Sequence, residues 1–378
     1  MDTFKIAVFG CWNEGCRENS GQQSVSNLIK SNESKYEFMV ILGDNYYAQK
    51  KTIINNKELK FKIKLTNINE LKNGFSCLEN INLEKKLIMG NHDIEDSLDK
   101  GCSVLKSQLK LPWYDVKFPF GFDMYYLYGN EQNTYNKTVL FIYLDTTLYS
   151  SDINDNNSCY KPVLNKNINT LKQEQNAFIA STLKLIENKI YNISDVVFFG
   201  HEPLLTFKQN KETKMTLIIT DLLEILFEEK NKYTDTRFHW ICADYHVYQN
   251  SIVFNKSEPK LNITQWIFGT GGGKLDKLVN DTDLDIGNYE LKILPNIVFD
   301  SKGSNVSDKF NDINGLDRFG YGEITFDLCT VTHKFILTDF DYSTNKKGGS
   351  VNNTTSFDYK SKYLKYKNKY IGLKNIEN

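Results

Sequence analysis

The stretch that decides the fold is FMVILGDNYY, residues 38–47. Its first half, Phe38–Leu42, is continuously apolar, which is typical of a strand buried on both faces. Its second half, from Gly43 to Tyr47, places the Asp44 carboxylate and two tyrosines directly after that strand. Polar side chains at the carboxyl end of a buried strand are typical of the ligand-binding edge of an α/β sheet.

The same arrangement recurs at four other places in the chain. Apolar runs precede Gly10-Cys11-Trp12, Gly90-Asn91-His92-Asp93, Gly200-His201-Glu202-Pro203 and Ala243-Asp244-Tyr245-His246. Three of the five histidines, His92, His201 and His246, lie at these strand ends. One such motif alone is a weak signal, because a single buried histidine is more often a hydrogen-bonded core residue. Together, in this order, the motifs predict a metal site at one edge of the sheets.

The order of the predicted elements indicates the fold class. Apolar runs predict strands at Lys5–Phe9, Lys86–Met89, Val139–Leu144 and Val196–Phe199, and helical spacing predicts helices at Gln175–Ile190 and Thr220–Lys230. The chain then becomes strand-rich, with His239–Cys242, Ile252–Asn255, Thr264–Phe268, Gly322–Phe326 and Lys334–Leu337. This order predicts a mixed α/β sandwich. We also expect a surface helix at Lys57–Lys64 and a long surface excursion at Asn280–Asp317.

Composition excludes several classes of protein. The 378 residues carry a formal net charge of -1, so bulk charge predicts no nucleic-acid partner. Because the N-terminus has the pattern of a buried strand, we expect no signal peptide, and we expect no membrane span because no apolar stretch is long enough for one. The chain has seven cysteines, an odd number, and they are scattered along the sequence. This pattern favours a reducing, intracellular location over a disulfide framework.

The C-terminal segment differs from the rest in composition. We expect one domain over residues 1–344, followed at 345–378 by a flexible linker and a basic tail rich in Tyr and Lys. Tyrosines in the tail recur at heptad-like spacing, which fits either a solvated basic helix or a small helix that docks on a protein partner. The tail resembles the C-termini of some large DNA virus proteins, which suggests a viral origin.

From about Phe4 to Asp339 the chain resembles the calcineurin-like metallophosphoesterases, and among them the purple acid phosphatases. The resemblance rests on the five strand-end motifs, and also on Trp113–Tyr128, Leu144-Asp145-Thr146, Gly269–Gly273 and Phe319–Phe326. The spacing in Gly-Asp-Asn-x-Tyr marks the subfamily, whose tyrosine ligates ferric iron. The resemblance implies a four-layer αββα sandwich of two mixed β-sheets. It also implies hydrolysis of phosphate monoesters by attack of a metal-bound hydroxide at a dinuclear site.

The resemblance also implies roles for individual residues. Asp44 is similar to the carboxylate that bridges two metal ions, which would be iron, zinc or manganese. One ion would be held by Cys11, Asp44, Tyr47 and His246, and the other by Asp44, Asn91, His201 and Asp244. His92 is similar to the histidine that orients the substrate or protonates the leaving oxygen. The substrate would be a phosphorylated small molecule or a phosphoprotein.

Two ligand positions depart from the family pattern. Cys11 stands where the family has Asp, and Asp244 stands where it has His. A thiolate still suits zinc or iron, and a further carboxylate shifts preference towards manganese or magnesium. Alternatively, Cys11 is a small buried residue without a ligand role, and Asp244 a solvated carboxylate. Sliding the last motif by two residues would instead make His246 the first ligand of the motif and Tyr248 the second.

The sequence therefore supports two alternative functions. Six of the eight family positions are kept, namely Asp44, Tyr47, Asn91, His92, His201 and His246, which favours an active metallophosphatase. The alternative is a pseudophosphatase that serves as a binding scaffold, as in the glideosome-associated relative of purple acid phosphatases. We expect His239 to be structural and His333 to face solvent. The Gly271–Gly273 run lacks a following Lys-Ser/Thr, so we expect a tight turn near the site rather than a phosphate-binding loop.

Overall fold

Nineteen strands are present among the residues that the computed structural model describes, namely 3–13, 16, 20–47, 50–54, 57–61, 68–95, 102–127, 137–151, 153–210, 213–272, 275–276, 283–310 and 318–339. In chain order they are β1 Thr3–Phe9, β2 Phe38–Leu42, β3 Lys50–Ile54, β4 Lys57–Phe61, β5 Glu84–Ile88, β6 Asp115–Val116, β7 Gly121–Leu127, β8 Lys137–Tyr143, β9 Ile193–Phe199, β10 Leu205–Asn210, β11 Thr213–Ile218, β12 Arg237–Cys242, β13 Tyr248–Asn255, β14 Glu258–Phe268, β15 Asp283–Ile286, β16 Tyr289–Ile293, β17 Val298–Phe299, β18 Gly320–Asp327 and β19 Val331–Leu337. The helices are α1 Gly21–Ser31, α2 Ile68–Glu79, α3 Asn91–Ile94, α4 Ser103–Gln108, α5 Tyr160–Leu164, α6 Ile168–Leu183 and α7 Thr220–Lys232.

The strands form two large mixed sheets and two separate hairpins. The first sheet has the order β17-β19-β18-β1-β2-β5-β6, and the second has the order β15-β16-β13-β14-β12-β9-β8-β7. Within them β1, β2 and β5 are parallel to one another, as are β8, β9, β12 and β14. The hairpins are β3 with β4 and β10 with β11.

Three apolar clusters account for four layers. Val8, Val40, Phe141 and Val197 belong to a cluster between the two sheets, which is why these strands are apolar on both faces. A second cluster packs α1 and α2 on the outer face of the first sheet, and a third packs α6 and α7 on the outer face of the second. The chain is therefore an αββα sandwich, and the predicted fold class is confirmed.

The edge at which the parallel strands end carries all the predicted site residues. Near this edge, the Gly10 N–H donates to the Phe268 carbonyl (2.9 Å), and this bond links β1 to β14 of the other sheet. The Cys11 N–H donates to the Gly43 carbonyl (3.2 Å), which joins the loops after β1 and β2. The loops of the two sheets therefore meet over one crevice.

The helix predicted at Gln175–Ile190 is α6, which begins and ends seven residues earlier, at Ile168 and Leu183. Two other stretches have a structure of a different kind from the one predicted. Lys57–Phe61 forms β4 rather than a helix, because it pairs antiparallel with β3 and its apolar residues alternate with charged ones. The stretch Asn280–Asp317, expected to be a surface excursion, contains β15, β16 and β17, which add to the two large sheets. Pairing with other strands decides both cases, because β4 pairs with the adjacent β3, while β16 pairs with β13 and β17 with β19. Local composition alone does not reveal such pairing.

The expectation that the cysteines are reduced is wrong for four of them. Cys16 is bonded to Cys77 and Cys102 to Cys159, with Cα–Cα distances of 5.6 and 5.7 Å. Cys11, Cys242 and Cys329 are not disulfide-bonded. An odd count of cysteines excludes complete pairing but not partial pairing, so the count alone did not support the conclusion drawn from it.

The C-terminal tail, its boundary at residue 344 and its proposed docking role lie outside the described residues. No helix of the described part of the chain is long and apolar enough to cross a membrane.

Candidate metal centre

Three of the predicted ligands share an unusual backbone conformation. Cys11, Asp44 and Asp244 each follow an apolar strand and have φ values of 51°, 52° and 44°. This left-handed region is uncommon for residues other than glycine and tends to occur at functional sites. The backbone thus changes direction at three potential ligands, and all three lie at the same edge of the sandwich.

Glycines allow the loops to approach closely. Gly43 has a φ of 85°, and a Cβ added there would lie 2.6 Å from Nδ1 of His201. The glycine directly before Asp44 is thus required both by its backbone conformation and by the imidazole packed against it. This contact brings His201, at the end of β9, against the loop that carries Asp44.

The first group of contacts surrounds one nitrogen of His201. Nδ1 lies 2.7 Å from the Leu42 carbonyl, which can only accept, so Nδ1 carries a proton. The other nitrogen, Nε2, faces three oxygens: Oδ1 of Asn91 at 3.2 Å, Oδ1 of Asp44 at 3.3 Å and Oδ1 of Asp244 at 3.6 Å. A neutral imidazole would point a lone pair at these acceptors. A proton or a cation is therefore needed between them.

The second group of contacts surrounds the other oxygen of Asp44. The Tyr47 hydroxyl donates to Oδ2 of Asp44 at 2.6 Å and lies 3.2 Å from Nε2 of His246. The ligand atoms of Cys11, Asp44 and His201 all lie within 4.8 Å of one another, a spacing that can hold a metal ion. Asp44 thus presents Oδ1 to His201 and Oδ2 to Tyr47.

His92 lies beside these groups. Its ring centroid is 5.0 Å from that of Tyr47, and its Nδ1 is 3.6 Å from Oε2 of Glu95. The side chain is 22% exposed, whereas that of His201 is fully buried. His92 is therefore more accessible to solvent than His201.

The electrostatics of the site favour a positive charge at its centre. Burial opposes ionisation of Asp44, but the neighbouring His201 and His92 outweigh it and hold the pKa of Asp44 well below its ordinary value. Burial also opposes protonation of His201, yet the carboxylates of Asp44 and Asp244 raise its pKa to about 10. Burial, and then the charges of Asp44 and Cys11, raise the pKa of Tyr47 well above its ordinary value.

Asp93 is a buried residue that the strand-end argument did not single out. Its carboxylate accepts from the backbone N–H of Asn45 (3.0 Å) and of Gly90 (2.9 Å), and from Nε2 of Gln108 (2.9 Å). It therefore ties the loop of Asp44 to the loop of Asn91. Asp93 is the fourth residue of the Gly-Asn-His-Asp motif, but the neighbouring sequence does not indicate which loops its carboxylate joins.

Three other neighbours of the site were given no role by the sequence. Thr146 Oγ1 accepts from the backbone N–H of His201 (3.1 Å) and of Glu202 (2.9 Å) and so fixes that loop. Burial, followed by the charge of Asp244, raises the pKa of Glu202 to about 8. Oδ2 of Asp276 accepts from the His246 N–H at 3.2 Å. Asp276 lies in a stretch where the sequence shows no motif.

The structure bears on the two registers left open for the last motif. Asp244 is the residue beside His201, whereas the buried Tyr248 hydroxyl lies 3.1 Å from Nε2 of His333. His333, expected in solvent, is buried and stacks on Trp266 with centroids 4.4 Å apart, so that expectation is wrong. His239 lies 2.9 Å from Oδ1 of Asp195, away from the crevice.

The glycine run lies close to the site. The Gly271 N–H donates to the Gly10 carbonyl at 3.1 Å, directly before Cys11. Gly273, the last residue of the run, lies outside the described residues.

No family model and no curated protein matches this sequence. Among solved structures, the chain is similar to GAP50, the anchor in the inner membrane complex of Plasmodium, with 12% identity, 93% of this chain and 88% of that chain covered, and a TM-score of 0.54. It is also similar to PhoD, with 12% identity, coverage of 89% and 69%, and a TM-score of 0.50. At these identities the likeness shows the fold alone, the two-sheet sandwich expected for a metallophosphoesterase.

Proposed function

We propose that this chain is a metal-dependent phosphoesterase that hydrolyses phosphate monoesters at a dinuclear site. The observation that carries the proposal is the position of Asp44 between two groups of ligand side chains. Oδ1 lies 3.3 Å from Nε2 of His201, and this nitrogen also faces Asn91 and Asp244. Oδ2 accepts from the Tyr47 hydroxyl, which in turn lies 3.2 Å from Nε2 of His246. The likeness to GAP50 and PhoD supports the fold on which such a site is built but not the reaction itself.

The donor atoms fit divalent or trivalent cations. Carboxylate, amide, phenolate, thiolate and imidazole groups are all metal ligands in proteins, and His201 offers Nε2 because its Nδ1 is bonded to a backbone carbonyl. When bound, a pair of cations would supply the nucleophile and bind the phosphate oxygens. One cation would be held by Asn91, His201 and Asp244. The other would be held by Cys11, Tyr47 and His246, and Asp44 would bind both cations.

His92 is proposed as the group that acts on the phosphate. It lies outside the two ligand groups, and the Glu95 carboxylate 3.6 Å from Nδ1 orients the ring. With Nδ1 directed at Glu95, Nε2 is the nitrogen available to hold a phosphate oxygen or to protonate the leaving oxygen. The Tyr47 ring beside it restricts the imidazole to this side of the crevice.

The test pairs metal content with turnover. Wild type, Asp44→Asn and His92→Ala should be purified alongside Asp221→Asn, a control in which an exposed carboxylate on α7 is changed in the same way. Wild type and control should retain metal and hydrolyse a chromogenic phosphate ester. Asp44→Asn should lose both properties, and His92→Ala only the turnover. Wild type that binds no metal after reconstitution with iron, zinc or manganese would overturn the proposal.

The scaffold function is the alternative that this test separates. It predicts the same background hydrolysis for all four proteins. A scaffold would also tolerate replacement of Asp44 without loss of binding to its partner. The intracellular location, the viral origin and the choice between a phosphorylated small molecule and a phosphoprotein stay predictions.

A further inference from the structure

The two disulfide bonds differ in exposure to solvent. Cys102 and Cys159 are 1% and 2% exposed, so their sulfurs are buried in the folded chain. Cys16 and Cys77 are both partly exposed. A thiol can reduce a disulfide only when its thiolate reaches one of the two sulfurs. The Cys16–Cys77 bond is therefore the one that a dissolved thiol can attack while the chain stays folded.

The Cys16–Cys77 bond fastens a segment that carries a candidate ligand. Cys16 lies five residues after Cys11, in the segment that joins β1 to α1, and Cys77 lies in α2. The two Cα atoms are 5.6 Å apart although 61 positions separate them in the sequence. The bond thus attaches the segment after Cys11 to a helix on the outer face of the first sheet.

Noncovalent contacts hold the same segment on α2. The Trp12 ring packs edge-on against Phe75, with centroids 5.0 Å apart. Asn13 lies against Gly74, where an added Cβ would come within 2.2 Å of Nδ2 of Asn13. Glycine at position 74 therefore permits the close approach of the helix. The helix supports the segment at two residues besides Cys16.

The segment in turn supports the loop that carries Asp44 and Tyr47. Nδ2 of Asn13 donates to the Asn45 carbonyl at 2.7 Å, and the Tyr47 N–H donates to the Asn13 carbonyl at 3.1 Å. Nε1 of Trp12 donates to Oδ1 of Asn45 at 3.2 Å. A displacement of the segment would therefore also disturb the loop of Asp44.

Resting on the function proposed above, we propose that Cys16–Cys77 is a redox switch of the metal centre. Its reduction releases Cys16 from α2 and weakens metal binding, while Cys102–Cys159 stays oxidised. The contacts of Trp12 and Asn13 are not covalent and persist after reduction, so the chain stays folded. The result of reduction is therefore a lower metal affinity in a folded protein.

The reductant that the switch requires is a dithiol. One of its thiolates attacks a sulfur of the Cys16–Cys77 bond, forms a mixed disulfide and releases the other cysteine as a thiolate, which takes up a proton. The second thiol of the reductant then displaces the remaining cysteine, and the reductant leaves as an intramolecular disulfide. Two electrons and two protons have then passed from the reductant to Cys16 and Cys77.

The experiment combines thiol labelling with metal titration. The parent protein carries Cys329→Ser, which removes an exposed thiol. It is incubated under native conditions with increasing dithiothreitol, alkylated with iodoacetamide and freed of both reagents, so that the released thiols cannot bind metal. The oxidised parent and Cys16→Ser/Cys77→Ser in the same background are the comparisons. Peptide mapping locates the alkylated cysteines, circular dichroism checks folding, and calorimetric titration with ZnCl₂ measures metal affinity.

We expect Cys16 and Cys77 to be alkylated together at a dithiothreitol concentration that leaves Cys102–Cys159 intact. The reduced parent and the double variant should bind zinc at least about tenfold more weakly than the oxidised parent, because the support of the ligand segment is lost.

Each other outcome contradicts a separate point. Reduction of Cys102–Cys159 at the same or a lower dithiothreitol concentration would overturn the difference in access. Equal zinc affinity of the oxidised and the reduced parent would overturn the switch and leave the proposed function intact. An oxidised parent that binds neither zinc, iron nor manganese would overturn the proposed function and the switch with it. If the double variant does not fold, the comparison of the oxidised with the reduced parent still decides.

Discussion

The bond between Cys102 and Cys159 should stabilise both the fold and the metal centre. Cys102 directly precedes α4, and Gln108 of α4 donates to Asp93 at 2.9 Å. The Cys159 N–H donates to the Ile94 carbonyl at 2.9 Å, at the end of the short helix that starts at Asn91. The disulfide bond therefore connects two segments that both contact the short helix Asn91–Ile94, which carries the candidate ligand Asn91.

The size of the effect follows from the sequence separation. Cys102 and Cys159 are 57 residues apart, and Cys16 and Cys77 are 61 apart. Closing a loop of this size removes about 14 cal/mol/K of entropy from the unfolded chain, which corresponds to about 4 kcal/mol at 25 °C for each bond. The two loops do not overlap in sequence, so we expect the contributions to add.

The measurement is denaturant unfolding of wild type and of the double variant Cys102→Ser/Cys159→Ser. The control is Cys329→Ser, which changes an exposed free cysteine. The double variant should lose about 4 kcal/mol of unfolding free energy. Its metal affinity should fall about tenfold, because the segments that contact the Asn91–Ile94 helix are no longer joined by the disulfide. In the unreduced, denatured wild type, thiol titration should find three free cysteines. A loss below about 1 kcal/mol, or seven free thiols, would refute the reasoning.

Three further predictions concern single residues. His92→Ala should lower kcat at least about a hundredfold on an ester with a poor leaving group and much less on a nitrophenyl ester, while metal content is unchanged; equal losses on both esters would exclude a proton-donor role. Asp93→Asn should lower the unfolding free energy by about 2–3 kcal/mol and weaken metal binding, because the amide offers one acceptor oxygen to the N–H groups of Asn45 and Gly90 where the carboxylate offers two. Unchanged metal affinity would show that metal binding does not depend on this link between the two loops. Burial, with a smaller contribution from His239, lowers the pKa of His333 from 6.5 to about 3, so the unfolded chain binds a proton between these pH values that the folded chain does not. Unfolding free energy should fall as pH falls below 6.5, by about 2–3 kcal/mol at pH 4.5, and His333→Gln should remove this part of the dependence; an identical pH profile for both proteins would contradict it.

The sequence predicted the sheet core and the strand ends at which the candidate site residues lie, because both are encoded locally. An apolar run such as Phe38–Leu42 specifies a buried strand, and the residue after it must lie at the strand end. Once the order of elements indicates parallel strands, their ends share one edge. The proximity of Asp44, Asn91 and His201 follows from strand order alone, without any knowledge of side-chain contacts.

What the sequence did not predict depends on contacts with other segments, some adjacent and some far apart in the chain. Lys57–Phe61 became a strand because β3 pairs with it, and the fate of each cysteine depended on which other cysteine lies nearby. Likewise His333 was expected in solvent because it lies close to a turn, whereas stacking on Trp266 from the other sheet buries it. Local composition contains no information about such partners.

The backbone at the ligand positions bears on the choice between enzyme and scaffold. Cys11, Asp44 and Asp244 all lie in the left-handed region, and such residues cost of order 1–3 kcal/mol each unless the surroundings determine them. In a scaffold without metal the same loops could carry glycine at these positions and lose that cost. In a metal-binding protein the conformation has a use, because it directs each side chain into the crevice. Replacing Cys11 or Asp244 with Gly should therefore weaken metal binding, because the side chain directed into the crevice is lost. Metal binding equal to that of wild type in both variants would show that these side chains are not ligands.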